Sequence, residues 1–410
     1  MKNIKKTMKK STAKLLSLLA VTAGLVTSCT SSDSGTTNPT TSTFVANEKD
    51  FKGTITDGEV ILDATKVYKL TGKIQVNNNA TLTIPAGTVI EGTAGTASYI
   101  AVAQGGKINV NGTATKPVVM TSGKATKAGG DWGGLVICGK APINRISGGA
   151  STAQSEVGDL TYGGTISNDN SGSIKYLRIE YAGALFNAEK EFNGLSLFGV
   201  GSGTTVSYVQ LIHGSDDGVE FFGGTVNTDH IISIGNEDDQ FDWTEGWSGT
   251  NTDWYGRLDY GTGNRGIEAD NYEFGFANTP IANPSITNLT LIGPGSTANA
   301  TAFAENQAIK LRRGTKGIFT NVVIKGWATG FDIEHDETLA NAGTSLKVVN
   351  FKIDSDVTTT IKGKTTAVAP ATSGVSATVN ANFATTSATA TGAGNGSGTP
   401  SWAAGWTVGF

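Results

Sequence analysis

Asp216-Asp217-Gly218-Val219-Glu220-Phe221 is followed, 22 residues on, by Asp238-Asp239-Gln240-Phe241-Asp242-Trp243. In both stretches a pair of acids leads into an alternation of apolar and acidic side chains. The same frame recurs at Gly194-Leu195-Ser196-Leu197, Gly266-Ile267-Glu268-Ala269, Ala308-Ile309-Lys310-Leu311 and Gly330-Phe331-Asp332-Ile333. Successive offsets are 24, 22, 26, 42 and 22 residues. A repeat of 22–26 residues holds three short strands and three turns, which is one coil of a parallel β-helix. The 42-residue interval reads as one coil carrying a long insertion around Asn271 to Ala304.

Alternation assigns directions, because successive side chains of a strand point to opposite faces. Leu195, Val219, Phe241, Ile267, Ile309 and Phe331 are expected to stack inward, as are Leu197, Phe221, Trp243, Ala269, Leu311 and Ile333. Stacked coils then bury a continuous core that no single repeat could form alone. The outward line is Ser196, Glu220, Asp242, Glu268, Lys310 and Asp332.

The rest of the chain agrees with an all-β solenoid. Of 410 residues, 38% are hydrophobic, only 16% are charged and 55 are glycine. Short β-rich runs such as Ala80–Gly92 and Ile108–Ser122 are punctuated by Gly and Asn, with no helical period between them. The net charge of −4 makes nucleic acid an unsuitable partner. Cys138 sits in the apolar run Leu135-Val136-Ile137-Cys138 and is expected to be a small buried residue, not a nucleophile.

The N-terminal segment has a separate logic. Lys2, Lys5, Lys6, Lys9, Lys10 and Lys14 precede the apolar run Leu15 to Val26, the pattern of a secretory signal peptide. It ends in Leu25-Val26-Thr27-Ser28-Cys29, which resembles the lipobox of bacterial lipoproteins, with Cys29 as the lipidated residue. Cleavage there removes six of the 31 basic residues and no acid, leaving 25 against 35 acids, a formal net of −10. Residues 30 to 43 hold ten Ser or Thr and read as a tether. Residues 357 to 410 contain no acid and only Lys362 and Lys364. The expected organisation is a signal peptide over residues 1–28, a tether over 29–43, the β-helix over 44–356 and a low-complexity tail over 357–410, with Trp402 and Trp406 capping the solenoid end.

Together, the lipobox, the tether, Trp132-Gly133-Gly134-Leu135-Val136-Ile137, the coil repeats and the closing Trp402-Ala403-Ala404-Gly405-Trp406-Thr407 resemble the β-helical surface lipoproteins of Bacteroidota. The resemblance implies a right-handed, pectin-lyase-like parallel β-helix, lipid-anchored in the outer membrane and displayed at the cell surface.

Between His213 and Glu273 there are 14 acidic residues and two basic ones, Arg257 and Arg265. Oxygen-rich clusters of this kind suit Ca²⁺, which takes six to eight oxygen ligands. The candidate ligands are Asp216, Asp217, Asp238 and Asp239, with Asn236 and Glu237 beside them and Glu220 and Asp242 behind. The alternative is a solvated acidic face without an ion. Trp247, Trp254 and Tyr255, in a stretch rich in Gly, Ser, Thr and Asn, are candidates to stack on a sugar ring beside Glu268, the alternative being packing within the loop. Polysaccharide lyases of the resembled fold pair Ca²⁺ with an Arg or Lys base. That role would fall to Lys310, Arg312, Arg313 or Arg265, with Asp242 as a further catalytic candidate. In the simpler reading, Lys310 bridges Glu268 and Asp332. The leading expectation is non-catalytic binding of a glycan or protein by an acidic, aromatic flank. The rivals are a Ca²⁺-dependent lyase or glycoside hydrolase and a structural envelope component.

Overall fold

A computed structural model describes residues 40–149, 151–188, 190–258 and 261–410. The signal peptide, Cys29 and the tether up to residue 39 lie outside the described residues, as do Asp259 and Tyr260. Three stacks of parallel strands run the length of the molecule. The first contains Ile100–Val102, Leu135–Cys138, Leu195–Phe198, Val219–Phe222, Phe241–Thr244, Arg265–Ala269, Gln307–Leu311, Thr329–Glu334 and Thr359–Lys364. The other two stacks are the two halves of long strands: Gly172–Glu180, Thr205–Ile212, Asn227–Ile234, Thr250–Arg257, Ser285–Ile292, Gly317–Lys325 and Leu346–Ile353. The molecule is a right-handed parallel β-helix, the fold class that the repeat and its resemblance imply.

Each long strand turns the corner at one residue in the left-handed region: Tyr176, Tyr208, His230, Asp253, Asn288, Asn321 and Asn350. Asn and Asp adopt this conformation readily, whereas Tyr and His adopt it at a cost. Here the rings stack along the corner, Tyr176 on Tyr208 at 4.3 Å and Tyr208 on His230 at 4.2 Å. Amides continue the same line, Asn288 donating to Asp253 at 2.9 Å and Asn321 to Asn288 at 2.7 Å. Identical backbone bends thus place seven side chains in one ladder.

The register is the one read from the repeat. Leu195 pairs with Val219, Val219 with Phe241, Phe241 with Ile267, Ile267 with Ile309 and Ile309 with Phe331. All twelve expected inward residues are buried in one continuous cluster. Trp247 and Trp254 lie in that cluster too, fully buried, with Phe221 stacked on Trp247 at 3.9 Å and Phe241 on Trp254 at 4.5 Å. Their indole N–H groups donate inside the fold, to the Val226 carbonyl at 3.1 Å and to Thr228 Oγ1 at 2.8 Å. Tyr255 is buried on the opposite side of its strand, against Ile234 and Trp406. The expectation of a solvent-facing aromatic loop at these three residues is therefore corrected. Trp254 and Tyr255 belong to a regular strand, and the Gly and Thr around Trp247 make a tight corner that turns it inward.

Three boundaries also move. Thr41 already bridges to Glu59, and Ser42 and Thr43 hydrogen-bond to Asp57, so the end of the expected tether belongs to the fold. The long interval between Ile267 and Ile309 is not one insertion. It contains the regular strand Ser285–Ile292, with an extended loop on each side. The solenoid runs beyond residue 356, through Thr359–Lys364 to Ala384–Thr386.

Phe383, edge-on to Phe331 at 5.6 Å, closes the core at that end. The two tryptophans do not. Residues 391–410 return along the outer side of the helix, where Trp406 is buried against Ile212, Ile232, Ile234 and Tyr255. Residues near Thr391 contact Asn321, whereas Val408 reaches Gln210. The tail covers an apolar flank, because the third sheet presents isoleucines outward as well as inward.

Candidate functional site

The outward line of the first sheet is in register as expected: Ser196, Glu220, Asp242, Glu268, Lys310, Asp332 and then Lys362. It is not a solvated flank. Ser196, Glu268, Lys310 and Asp332 are buried, and Glu220 and Asp242 are only partly accessible. Loops that leave and rejoin the coils fold over this face. Asn144 from one loop donates to Asn271 Oδ1 of another at 2.8 Å, and Asn278 donates back to the Asn144 carbonyl at 2.8 Å.

Adjacent strands lie about 4.8 Å apart, so ionised acids in one line repel unless something intervenes. In the second half of the line, basic residues intervene. Glu268 pairs with Arg265 at 2.6 Å and with Arg312, and Asp270 with Arg312 and Arg313 at 2.7 and 2.6 Å. Asp332 pairs with Lys362 at 3.0 Å. Lys310 does not bridge Glu268 and Asp332. Its Nζ reaches Glu305 at 3.1 Å and Glu334 at 3.6 Å, since those carboxylates come in from the flanking loop and the strand end.

The first half has no such partners. Carboxylate oxygens of Asp216, Asp217 and Asp238 lie within 4.8 Å of one another, as do those of Asp217, Glu220 and Asp242 and those of Asp239, Asp242 and Glu268. Among the described residues, only Asp239 of these six acids before Glu268 has an ion-pair partner, Arg265 Nη1 at 3.2 Å. Neutral donors serve some of the others: Asn193 Nδ2 to Glu220 at 2.8 Å, the Asp239 amide to Asp217 at 2.9 Å, and the Asn264 amide to Asp238. Oδ1 of Asp242 is buried with no hydrogen-bond partner. Burial first, then repulsion from Asp238, pushes Asp216 up to about 8. Burial first holds Asp217, Glu220 and Asp242 well above the usual carboxylate range, with added repulsion from Asp216 on Asp217, from Asp242 on Glu220 and from Glu268 on Asp242. This oxygen-only donor set, which includes the unpartnered Oδ1 of Asp242, is of the kind that fits a hard divalent cation.

Two of the expected ligands have other duties. Asn236 is buried, its Oδ1 accepting from the Gly214 amide at 2.8 Å and its Nδ2 donating to Ser233 at 2.8 Å, so it shapes the turn and offers no free oxygen. Asp239 Oδ1 accepts from the Arg265 amide at 2.8 Å, just as Asp217 accepts from the Asp239 amide in the preceding coil. The second Asp of each repeated pair thus ties one coil to the next. Asp216, Asp217 and Asp238 remain as one triad and Asp217, Glu220 and Asp242 as a second that shares Asp217.

Beside the cluster is a cavity of about 220 Å³. Glu220, Asp242 and Glu268 form its floor, and Arg145, Arg312 and Arg313 reach in from its walls, with Tyr272 and Phe274 on one rim. Each arginine is committed: Arg145 to Glu245 at 2.7 Å, Arg312 to Glu268 and Asp270, and Arg313 to Asp270 and Glu273. Burial opposes the charge on Arg312, but Asp270 and Glu268 more than offset it and hold its pKa above the ordinary value. Glu156, close by, is pushed up to about 7 by burial and by Glu245, with Lys190 opposing. Sequence reasoning did not reach Arg145, Glu156, Glu245, Tyr272 or Phe274. Arg145 and Glu156 lie on the site because of tertiary folding of distant loops, whereas Glu245 directly follows the strand that carries Asp242. The aromatic pair carried a weak signal, two large rings in a stretch of Asn and Gly. Cys138 is buried, and burial pushes its thiol up to about 12, which leaves it inert.

The structure is thus a parallel β-helix with a charged cleft on one sheet. Residues 53–407 match the pectate-lyase-like β-helix domain family, and the chain belongs to that family. No curated protein matches the chain.

Proposed function

We propose that the protein is a lipid-anchored cell-surface β-helix that binds glycan without cleaving it, through a cleft completed by Ca²⁺. The observation that carries this reading is the uneven charge balance of the acidic line. From Glu268 onward the carboxylates of the line have ion-pair partners, whereas among the described residues Asp216, Asp217, Glu220 and Asp242 have none and crowd in two triads that share Asp217. A hard cation at Asp216, Asp217 and Asp238, or at Asp217, Glu220 and Asp242, would relieve that repulsion and turn an acceptor-only surface into one that takes hydroxyl or carboxylate oxygens. Binding is favoured over elimination chemistry because a proton-abstracting Lys or Arg must lose its own proton. Arg265 and Arg312 are held in the charged form by two or more carboxylates each, and Lys310 is buried between Glu305 and Glu334.

One observation favours a second reading, glycoside hydrolysis. The oxygens of Asp217, Glu220 and Asp242 approach within 4.8 Å, and a close pair of carboxyl groups, one protonated as the acid and one ionised as the nucleophile, serves retaining hydrolases. The test of the first reading is thermal unfolding in millimolar Ca²⁺, in Mg²⁺, in chelator and in monovalent salt at matched ionic strength, joined to a glycan array with and without Ca²⁺. The expected result is a higher Tm in Ca²⁺ alone, about 2.7 kcal/mol of added stability at a hundredfold excess over Kd. Asp216→Asn with Asp238→Asn should remove the increment. Equal melting curves in Ca²⁺ and chelator would refute the cation. Release of reducing ends from an array hit would replace binding with hydrolysis.

A further inference from the structure

Phe274 stands at the mouth of the cleft with 78% of its surface exposed. Single apolar residues on a surface need no explanation in general. This one differs in its support. The loop that carries it is closed on itself by Asn271, whose Nδ2 donates to the carbonyls of Phe276 and Asn278, both at 3.0 Å, and whose Oδ1 accepts from the Ala282 amide at 2.8 Å. It is closed against the opposite wall by Asn144 and Asn278. Phe276, two residues on, turns back onto His335 at 4.7 Å between ring centres. Phe274 instead points away, and Tyr272 meets it edge-on at 5.6 Å and 73°. The ring is therefore held outward, against Tyr272, by a loop whose backbone is tied through Asn271.

We propose that Phe274 is a stacking platform for one pyranose ring of a polysaccharide, a specificity element of the same cleft; the inference rests on the glycan reading given above. Three features select a sugar over an apolar peptide side chain. Below the platform the cavity offers carboxylate acceptors at Glu220, Asp242 and Glu268 and guanidinium donors at Arg145, Arg312 and Arg313, and no apolar pocket. A pyranose carries both faces this site requires, a C–H face for the ring and a rim of hydroxyls for the charged groups. Finally, the cavity of about 220 Å³ is smaller than the roughly 300–1,000 Å³ of sites that engulf a whole ligand. One ring enters, and the remainder of the chain crosses the rim where Phe274 stands.

The experiment is calorimetric titration of the whole protein, in millimolar Ca²⁺, with cellohexaose, mannohexaose and hexagalacturonate, on wild type, Phe274→Ala and Phe274→Trp. Each variant is also melted in Ca²⁺ and in chelator. The expected result is binding of at least one hexasaccharide, weakened about tenfold by Phe274→Ala and retained by Phe274→Trp, with the Ca²⁺ increment in Tm unchanged in both. Equal affinity of wild type and Phe274→Ala overturns the platform. No binding to a wild-type protein that keeps its Ca²⁺ increment also overturns it, while leaving the cation reading intact. Phe274-dependent binding without any Ca²⁺ increment does the reverse, upholding the platform and removing the cation.

Discussion

Asp242 condenses the chemistry of the site into one side chain. Its backbone is fixed between Phe241 and Trp243, both buried, so its carboxylate must face outward toward Glu220 and Glu268 in the neighbouring coils. Burial, then Glu268, Asp239 and Asp270, raise its pKa, and Asp216, Asp217 and Glu220 are also raised, by burial first. The sign of the consequence follows from linkage. Acids whose folded pKa exceeds the unfolded value bind more protons in the native state, so stability falls as pH rises from about 4, the unfolded carboxyl range, to the folded pKa values, about 8 for Asp216. In chelator, Tm is expected to drop by several degrees between about pH 5.5 and about pH 8, the opposite of ordinary acid denaturation. Added Ca²⁺ should flatten or invert that slope, because it favours the ionised form. A Tm in chelator that rises over this interval would mean that the acids are not crowded.

At the scale of elements, the first sheet and the returning tail do different work. Leu311 is fully buried between Ala269 and Ile333 of the adjacent coils. Leu311→Asp places an unpaired charge between stacked coils, a cost of several kcal/mol. Loss of cooperative melting is expected, and an unchanged Tm would contradict the register. Trp406 belongs to a flank. Removing it opens a cavity over Ile212, Ile232, Ile234 and Tyr255, and Trp406→Ala should cost about 3–5 kcal/mol. Because the tail lies on the outside, the coil should survive with its flank exposed. The readout is a lower Tm with increased binding of a hydrophobic dye and a retained Ca²⁺ increment. An end-cap role would instead fray the coils around Phe331, where Phe383 actually sits.

For the whole molecule, the question is where the solenoid is held. Among the described residues no helix is long and apolar enough to cross a membrane. The reading of the N-terminus makes attachment depend on one residue, Cys29. On the proposal that lipid chains carry the anchor, Cys29→Ala should move the protein from the membrane fraction to the soluble fraction. Persistence in the membrane pellet would contradict the lipoprotein reading.

Local pattern and repeat are properties of consecutive residues, and they were legible directly. A period of 22 to 26 residues with strict inward and outward alternation admits one stacking register, because a slip of one residue would turn Phe241 and Trp243 outward and Asp242 into the core. Hence the coil, its core and the acidic line could all be read from the chain. What covers that line could not, because coverage depends on loops meeting across more than a hundred residues, as Asn144 meets Asn271. Nor could composition tell a strand from a loop at Trp254 and Tyr255, where one ring entered the core and the other lay under the tail. The order of charges was written in the sequence. Which carboxylates would find a base, and which would be left together, was decided only when the loops closed over them.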